Sequence, residues 1–243
     1  MRIPRLYCAA PLSPGALIPL PEAQARHAAQ VLRLQRGDPL ILFNGDGNEY
    51  PARLLEAGRG AAQVRIEGCS GPEPLPPLAI QLALGIARGE RMDLAIQKAV
   101  ELGVTRIRPL VTRRVQVQLA GSRLEKRLEH WQGVIIAACE QSGRCRVPVL
   151  EPVAELDVWL SQQGSGGWLL DPQGERALTA MPAPAGELTL LIGPEGGVDP
   201  AERELARRYG FSEVRLGPRI LRVETAPLAA IAVIQALWGD LGA

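Results

Sequence analysis

The spacing of apolar and polar positions divides the chain in two. From Met1 to Gly68 the apolar runs are short and separated by turn-forming residues. Pro39–Phe43, Glu49–Leu55 and Ala61–Glu67 read as strands, and Asn44-Gly45-Asp46-Gly47 between the first two is a hairpin signal. Glu22–Leu34 reads as a short helix, with Ala25, Ala28, Ala29 and Leu32 at helical spacing. Short strands with one helix predict a small β-barrel over residues 1–70. The proline-rich stretch Cys69–Pro77 can continue neither a helix nor a central strand, so residues 71–77 read as a linker.

Over residues 78–243 the pattern changes to alternating strands and helices. Leu78–Ile86, Val104–Val111, Gly167–Leu170, Leu188–Ile192 and Ser212–Leu216 read as strands. Glu90–Leu102, Arg123–Ser142 and Val153–Gln162 read as helices. Asp199, Pro200 and Glu202 form a capping-box signature for another helix. The alternation argues for an α/β domain with a mostly parallel sheet covered on both faces. The last helix, Pro227–Trp238, is apolar nearly all round, with only Gln235 interrupting it. Such a helix needs cover on every side, which predicts a homodimer formed through the C-terminal domain.

Composition changes this picture little. The 243 residues are 47% apolar and 22% charged, with a formal net charge of +1, as in an ordinary globular protein. The distribution of charge says more: between Arg106 and Arg127 there are seven Lys/Arg and one Asp/Glu, an electrostatic footprint for phosphate. The competing reading is a solvated basic face. Cys8, Cys69, Cys139 and Cys145 form no C-x-x-C pair, and His27 and His130 have no second ligand beside them, so no metal site is expected. The N-terminus lacks a signal-peptide core, and Ala226–Gly239 is too short to span a bilayer, so a cytoplasmic protein without membrane contact is expected.

The candidate chemistry lies in loops that follow strands: Asp171–Glu175, Gly193–Val198 and Leu216–Thr225. Glycines there let a ligand approach the backbone at the carboxyl ends of strands, where open α/β sheets bind ligands. A lone glycine loop is more often a tight turn; two in tandem, each feeding a helix, favour a nucleotide-like ligand. No G-x-G-x-x-G follows a strand and no Walker A lysine motif exists, which disfavours dinucleotide and P-loop sites.

Four stretches carry a family resemblance: Glu90–Gly103 (ERMDLAIQKAVELG), Glu140–Arg144 (EQSGR), Ile192–Gly197 (IGPEGG) and Leu216–Ala226 (LGPRILRVETA). With them the chain resembles the small-subunit (16S) ribosomal RNA uracil-N3 methyltransferases of the SPOUT class. Weaker matches, His27–Arg33 (HAAQVLR) and Phe43–Gly47 (FNGDG), extend the likeness over the N-terminal region, which resembles the family's PUA-like RNA-binding barrel. After Pro109 this chain reads LVTRRVQVQ where the family usually carries a Glu-Arg-Ser-like segment, so either Arg113 or Arg114 could take the RNA-facing role.

The resemblance implies a trefoil knot tucked from the three loops, with S-adenosylmethionine as cofactor. It implies cofactor contacts at Leu170, Ile192, Gly193, Gly196, Leu216, Gly217, Ile220, Leu221, Thr225 and Ala226. Uracil N3 carries a proton at neutral pH, so methylation needs a base and a stabiliser of the uracil anion. Glu195 and Glu224 are candidate bases and Arg222 the candidate stabiliser. For these the plainer readings are a carboxylate capping its own loop and a Glu224–Arg222 ion pair. His27, Arg33, Arg88, Arg91, Arg113, Arg114 and Arg144 are candidate contacts to 16S ribosomal RNA or the small subunit. The alternatives are a SPOUT ribose 2′-O-methyltransferase and a non-catalytic RNA-binding or ribosome assembly factor; the intact glycines argue against the second.

Overall fold

The structure is a computed structural model that describes residues 3–57, 61–115, 121–164 and 166–242. The chain divides into two compact units. One comprises Met1–Leu75 with Ile136–Val147, the other Pro76–Ile135 with Pro148–Ala243.

The first unit holds β1 (Arg5–Tyr7), β2 (Leu17–Leu20), α1 (Glu22–Arg26), β3 (Pro39–Phe43), β4 (Tyr50–Ala57) and β5 (Ala62–Ile66). Their sheet order is β1-β3-β4-β5-β2, antiparallel except for the parallel β1–β3 pair. Period-two alternation puts Ala62, Val64 and Ile66 of β5 into a core with Leu6, Leu40, Leu42 and Leu54, capped by Ala25 and Ala28. The pattern of apolar positions did not reveal β1 and β2. The first is three residues long and turns Arg5 inward, where Glu49 pairs with it; the second carries Pro19 on an edge strand. The helix expected over Glu22–Leu34 is also cut short. It loosens into a π turn over His27–Val31, the N–H of Leu34 reaches back to the carbonyl of Ala28, and Arg33 takes a φ of +54°.

In the second unit the elements are β6 (Ala79–Gly85), α2 (Glu90–Glu101), β7 (Arg106–Val111), β8 (Val149–Leu150), β9 (Ala154–Glu155), α4 (Leu156–Gln162), β10 (Trp168–Leu170), β11 (Arg176–Ala177), β12 (Glu187–Ile192), α5 (Pro200–Arg208), β13 (Ser212–Arg215) and α6 (Thr225–Trp238). Helix α3 (Ser122–Ser142) begins in this unit, and its last residues group with the first. The sheet runs β11-β13-β10-β12-β6-β7-β8, with β9 also on β7, and every one of these pairings is parallel. The central strands β6 and β12 are apolar almost throughout, as strands covered on both faces must be. The expected helix from Val153 starts only at Leu156, because Ala154 and Glu155 pair with the end of β7.

Two helices matter for the site. Helix α5 has the expected capping box: the Asp199 side chain accepts from Ala201 N at 3.0 Å, and the Asp199 N–H donates to Glu202 Oε2 at 3.1 Å. Helix α6 buries Ala226, Pro227, Ala230, Ile231, Ile234 and Gln235. Its other side, with Leu228, Ala229, Ala232, Val233, Ala236 and Leu237, is left partly or fully exposed, and Leu237 is 48% exposed. The polar Gln235 is therefore inside with five apolar residues, and the outward face is apolar too, unlike that of a helix at rest in water. Among the described residues no helix is long and apolar enough to cross a membrane.

Candidate functional site

The three strand-end loops line one cleft of about 710 Å³. They follow β10, β12 and β13, so all three leave the carboxyl edge of the parallel sheet on the same side. The loops that a trefoil knot would tuck together thus lie around a single cavity, of a volume suited to a cofactor.

The first wall is Leu170–Gln173. Asp171 is buried, and its carboxylate accepts from the Gln173 N–H at 2.7 Å and meets Arg203 NH1 at 3.2 Å. Gly174 closes the turn against β13: a Cβ there would lie 2.7 Å from the carbonyl carbon of Val214.

The second wall is Ile192–Val198. The Gly197 N–H bonds to the Pro194 carbonyl at 2.8 Å, and Gly197 takes a φ of +69°, open to glycine and costly to other residues. A Cβ on Gly193 would sit 2.8 Å from Gly197 C and Val198 N, and one on Gly85 would sit 2.5 Å from the Pro194 ring. At Gly196 a Cβ meets only the Arg114 side chain, at 3.1 Å. The glycine that close packing demands is therefore Gly193 rather than Gly196.

The third wall is Leu216 with Arg219–Glu224, continued by Ala226 at the start of α6. Ile220 is 85% exposed, a large apolar side chain left in water at the cleft. The carbonyl of Arg222 accepts from Thr225 N and Ala226 N and so starts the helix.

Eight of the ten expected cofactor contacts line the cleft, namely Leu170, Ile192, Gly193, Gly196, Leu216, Ile220, Leu221 and Ala226. Gly217 and Thr225 belong to the same loop and do not line it. All three candidate catalytic side chains do: Glu195, Arg222 and Glu224. Their surroundings differ. Glu195 Oε1 accepts from the Arg88 N–H at 2.9 Å and lies 3.5 Å from Arg91 NH1. Partial burial opposes its ionisation, but these donors and the Arg91 charge outweigh it and hold the carboxyl below the usual range. Glu224 instead keeps Oε2 buried with no partner among the described residues, and no ion pair there joins it to Arg222.

The basic candidates scatter. Arg91 and Arg114 line the cleft, and Arg114 is held down by Gly196 O at 2.8 Å and Asp199 at 3.7 Å. Arg113 donates its backbone N–H to Glu202 Oε1 at 2.8 Å, while its side chain stays 67% exposed. Arg88 is exposed and contributes its N–H to Glu195. In the first unit Arg33 is exposed and His27 half-buried. His27 and Arg5 oppose the upward push that burial gives the Glu140 carboxyl, which also accepts from Tyr7 N at 2.9 Å. Arg144 is turned inward: its guanidinium is 13% exposed and pairs with Glu73 at 3.7 Å. Asp171, Gln173, Arg203 and Arg219 also line the cleft, and sequence reasoning missed them as site residues. For Asp171 and Gln173 the turn motif was a usable signal, whereas nothing local shows that Arg203 reaches another loop.

Comparison with known proteins agrees with this geometry. Residues 74–235 match the model of an RNA methyltransferase domain, and residues 20–67 that of an RNA methyltransferase PUA domain. The chain belongs to the RNA methyltransferase family. Among curated members, the ribosomal RNA small subunit methyltransferase E of Buchnera aphidicola (subsp. Schizaphis graminum) is 32% identical over 99% of this chain and 98% of its own length. That of Mycobacterium bovis is 32% identical over 92% and 89%. Among solved members, a methyltransferase of Legionella pneumophila with S-adenosylmethionine bound superposes with a TM-score of 0.96 at 37% identity, covering 99% of this chain and all of the other. The ribosomal RNA small subunit methyltransferase E of Neisseria gonorrhoeae, bound to S-adenosylmethionine, gives 0.92 at 39% identity with the same coverage. The fold is the α/β methyltransferase fold that the sequence motifs implied, preceded by the PUA-like sheet.

Proposed function

We propose that this protein transfers a methyl group from S-adenosylmethionine to N3 of a uridine in small-subunit ribosomal RNA. The observation that carries the proposal is the cleft formed by the three strand-end loops, in a chain that superposes over its whole length on two methyltransferases solved with that cofactor. The relatives' printed names supply the RNA class. The uracil N3 position is supported by the motifs of the sequence and by the acid–base groups present.

The residues fit the cofactor. Leu170, Ile192, Leu216, Ile220, Leu221 and Val223 offer apolar surface for a nucleoside, the glycine turns expose peptide groups, and Glu224 supplies an unpartnered carboxylate oxygen. When bound, S-adenosylmethionine supplies an electrophilic methyl group. Glu195 is a weak base, because its carboxylate is committed to the Arg88 N–H and held ionised. It shapes the loop and fixes its distance from α2. Glu224 lines the cleft with its Oε2 buried and unpartnered among the described residues, and it is the carboxylate we assign to take the N3 proton. Arg222, exposed and lining the same cleft, meets the negative charge that develops on the uracil oxygens. The target base must be unpaired or flipped out, since pairing hides its N3 edge.

Arg88, Arg91 and Arg113 form the RNA-facing set of the methyltransferase unit, and His27 and Arg33 serve the PUA-like unit. Arg114 and Arg144 hold structure, given their partners. The apolar outer face of α6 is covered by a second copy, so the working form is a homodimer in the cytoplasm, where its RNA is. Calorimetric titration with S-adenosylmethionine, followed by nucleoside analysis of methylated RNA, tests the reading. Methyl transfer to a ribose hydroxyl, or no cofactor binding, would overturn it.

A further inference from the structure

The first turn of α5 touches three loops at once. Glu202 Oε1 accepts from the N–H of Arg113, in the segment after β7. Asp199 caps the helix and receives Arg114 at 3.7 Å. Arg203 crosses to the loop after β10, where NH1 lies 3.2 Å from Asp171 Oδ2 and 3.3 Å from Gln173 Oε1. Helix α5 itself follows directly from the loop after β12. Arg203 thus joins the first wall of the cleft to the element that carries the second.

This link is enclosed. The Asp171 side chain is 11% exposed and that of Arg203 21%. The Arg203 Nε is buried and has no partner among the described residues. A guanidinium tolerates such a place only when its charge is met, and here Asp171 meets it. Asp171 is also the residue whose Oδ1 and carbonyl fold the turn, through Gln173 N at 2.7 Å and Gly174 N at 3.0 Å. The terminal guanidinium nitrogen carries two N–H bonds, one for each acceptor on the same loop, and the planar guanidinium fixes their directions where a lysine ammonium rotates freely.

We infer that Arg203 is a positioning residue for the methyl donor: by clasping Asp171 and Gln173 to α5 it sets the separation of two neighbouring loops that line the cleft. Arg203 does not touch the reacting atoms. Its contribution is to pre-organise the cleft, so that cofactor binding need not order the 171–174 turn. The inference rests on the reading of the cleft as the S-adenosylmethionine site.

The test is equilibrium binding of S-adenosylmethionine to wild type, Arg203→Met and Asp171→Asn, alongside hydrogen exchange of the Asp171, Gln173 and Gly174 amides without cofactor. Loss of the clasp predicts about a ten-fold weaker Kd for Arg203→Met, equivalent to about 1.4 kcal/mol. KM for the donor should rise while kcat at saturation stays within about two-fold, and those three amides should exchange faster. Adding Arg203→Met to Asp171→Asn should cost little more. Arg203→Lys, which keeps the charge, should fall between wild type and Arg203→Met, and it replaces the methionine variant should that one not fold. Unchanged Kd with a lowered Tm would show Arg203 to be merely structural and overturn the inference; a fall in kcat at unchanged KM would overturn it as well. Wild type that fails to bind S-adenosylmethionine would sink the reading of the cleft itself, a distinct result.

Discussion

Gln235 donates from Nε2 to the carbonyl of Leu102 at 2.8 Å, tying the last helix to the end of α2. Gln235 is fully buried, and its Oε1 accepts from Asp240 N at 3.3 Å. Gly103, with a φ of +88°, leaves just enough space, for a Cβ there would lie 2.6 Å from Nε2. Replacing Gln235 with Leu strands the Leu102 carbonyl and should cost about 1–3 kcal/mol. Urea unfolding monitored by tryptophan fluorescence should show that loss as a lower midpoint at constant slope.

The two carboxylates of the cleft should separate in a pH series. Glu195 has a depressed folded-state pKa, so its ionisation stabilises the fold above the unfolded value, near 4.3, and that contribution disappears as pH falls through the lower folded value. The stability difference between wild type and Glu195→Gln should therefore be flat through neutral pH and vanish in acid. Glu195→Gln should retain most of its kcat. Glu224→Gln should lose about 10²–10⁴-fold in kcat if its carboxylate takes the proton. Single-turnover methylation with both variants measures this directly.

Among the glycines, Gly193→Ala should abolish cofactor binding, because its Cβ would collide with backbone at 2.8 Å, which cannot move without reshaping the turn. Gly196→Ala should be milder, since its neighbour is the flexible side chain of Arg114. Thermal shifts on adding S-adenosylmethionine rank the two.

The exposed face of α6 carries a prediction about assembly. Leu237→Asp places a charge on the exposed apolar face of α6 and should yield a monomer by light scattering, with the fold intact by circular dichroism.

Much of this was legible in the sequence, for particular reasons. The buried strands β6 and β12 are long apolar runs with sharp glycine ends, and the capping box of α5 is written in three residues. The cleft-lining glycines and the Arg222–Glu224 segment came from motifs, and the structure gathers them around one cavity. Other features were not legible because they are tertiary. The Arg203–Asp171 clasp joins residues 32 apart in sequence. The pairing of Arg144 with Glu73 joins residues far apart in sequence, and no local pattern announces it. Strand β1 was hidden because its inward Arg5 breaks the apolar pattern, and pairing with Glu49, together with bonds to the Arg144 carbonyl and Cys145 Sγ, makes that burial tolerable. The buried Gln235 of α6 is of the same kind: it is inside because the carbonyl of Leu102, just past α2, accepts its side-chain N–H.

Whether the cleft aims a methyl group at a pyrimidine ring nitrogen is tested most directly by nucleoside analysis of small-subunit ribosomal RNA from cells lacking this protein. The account predicts that N3-methyluridine disappears and returns with the wild-type gene but not with Glu224→Gln. N3-methyluridine undiminished in the deletion strain would contradict it.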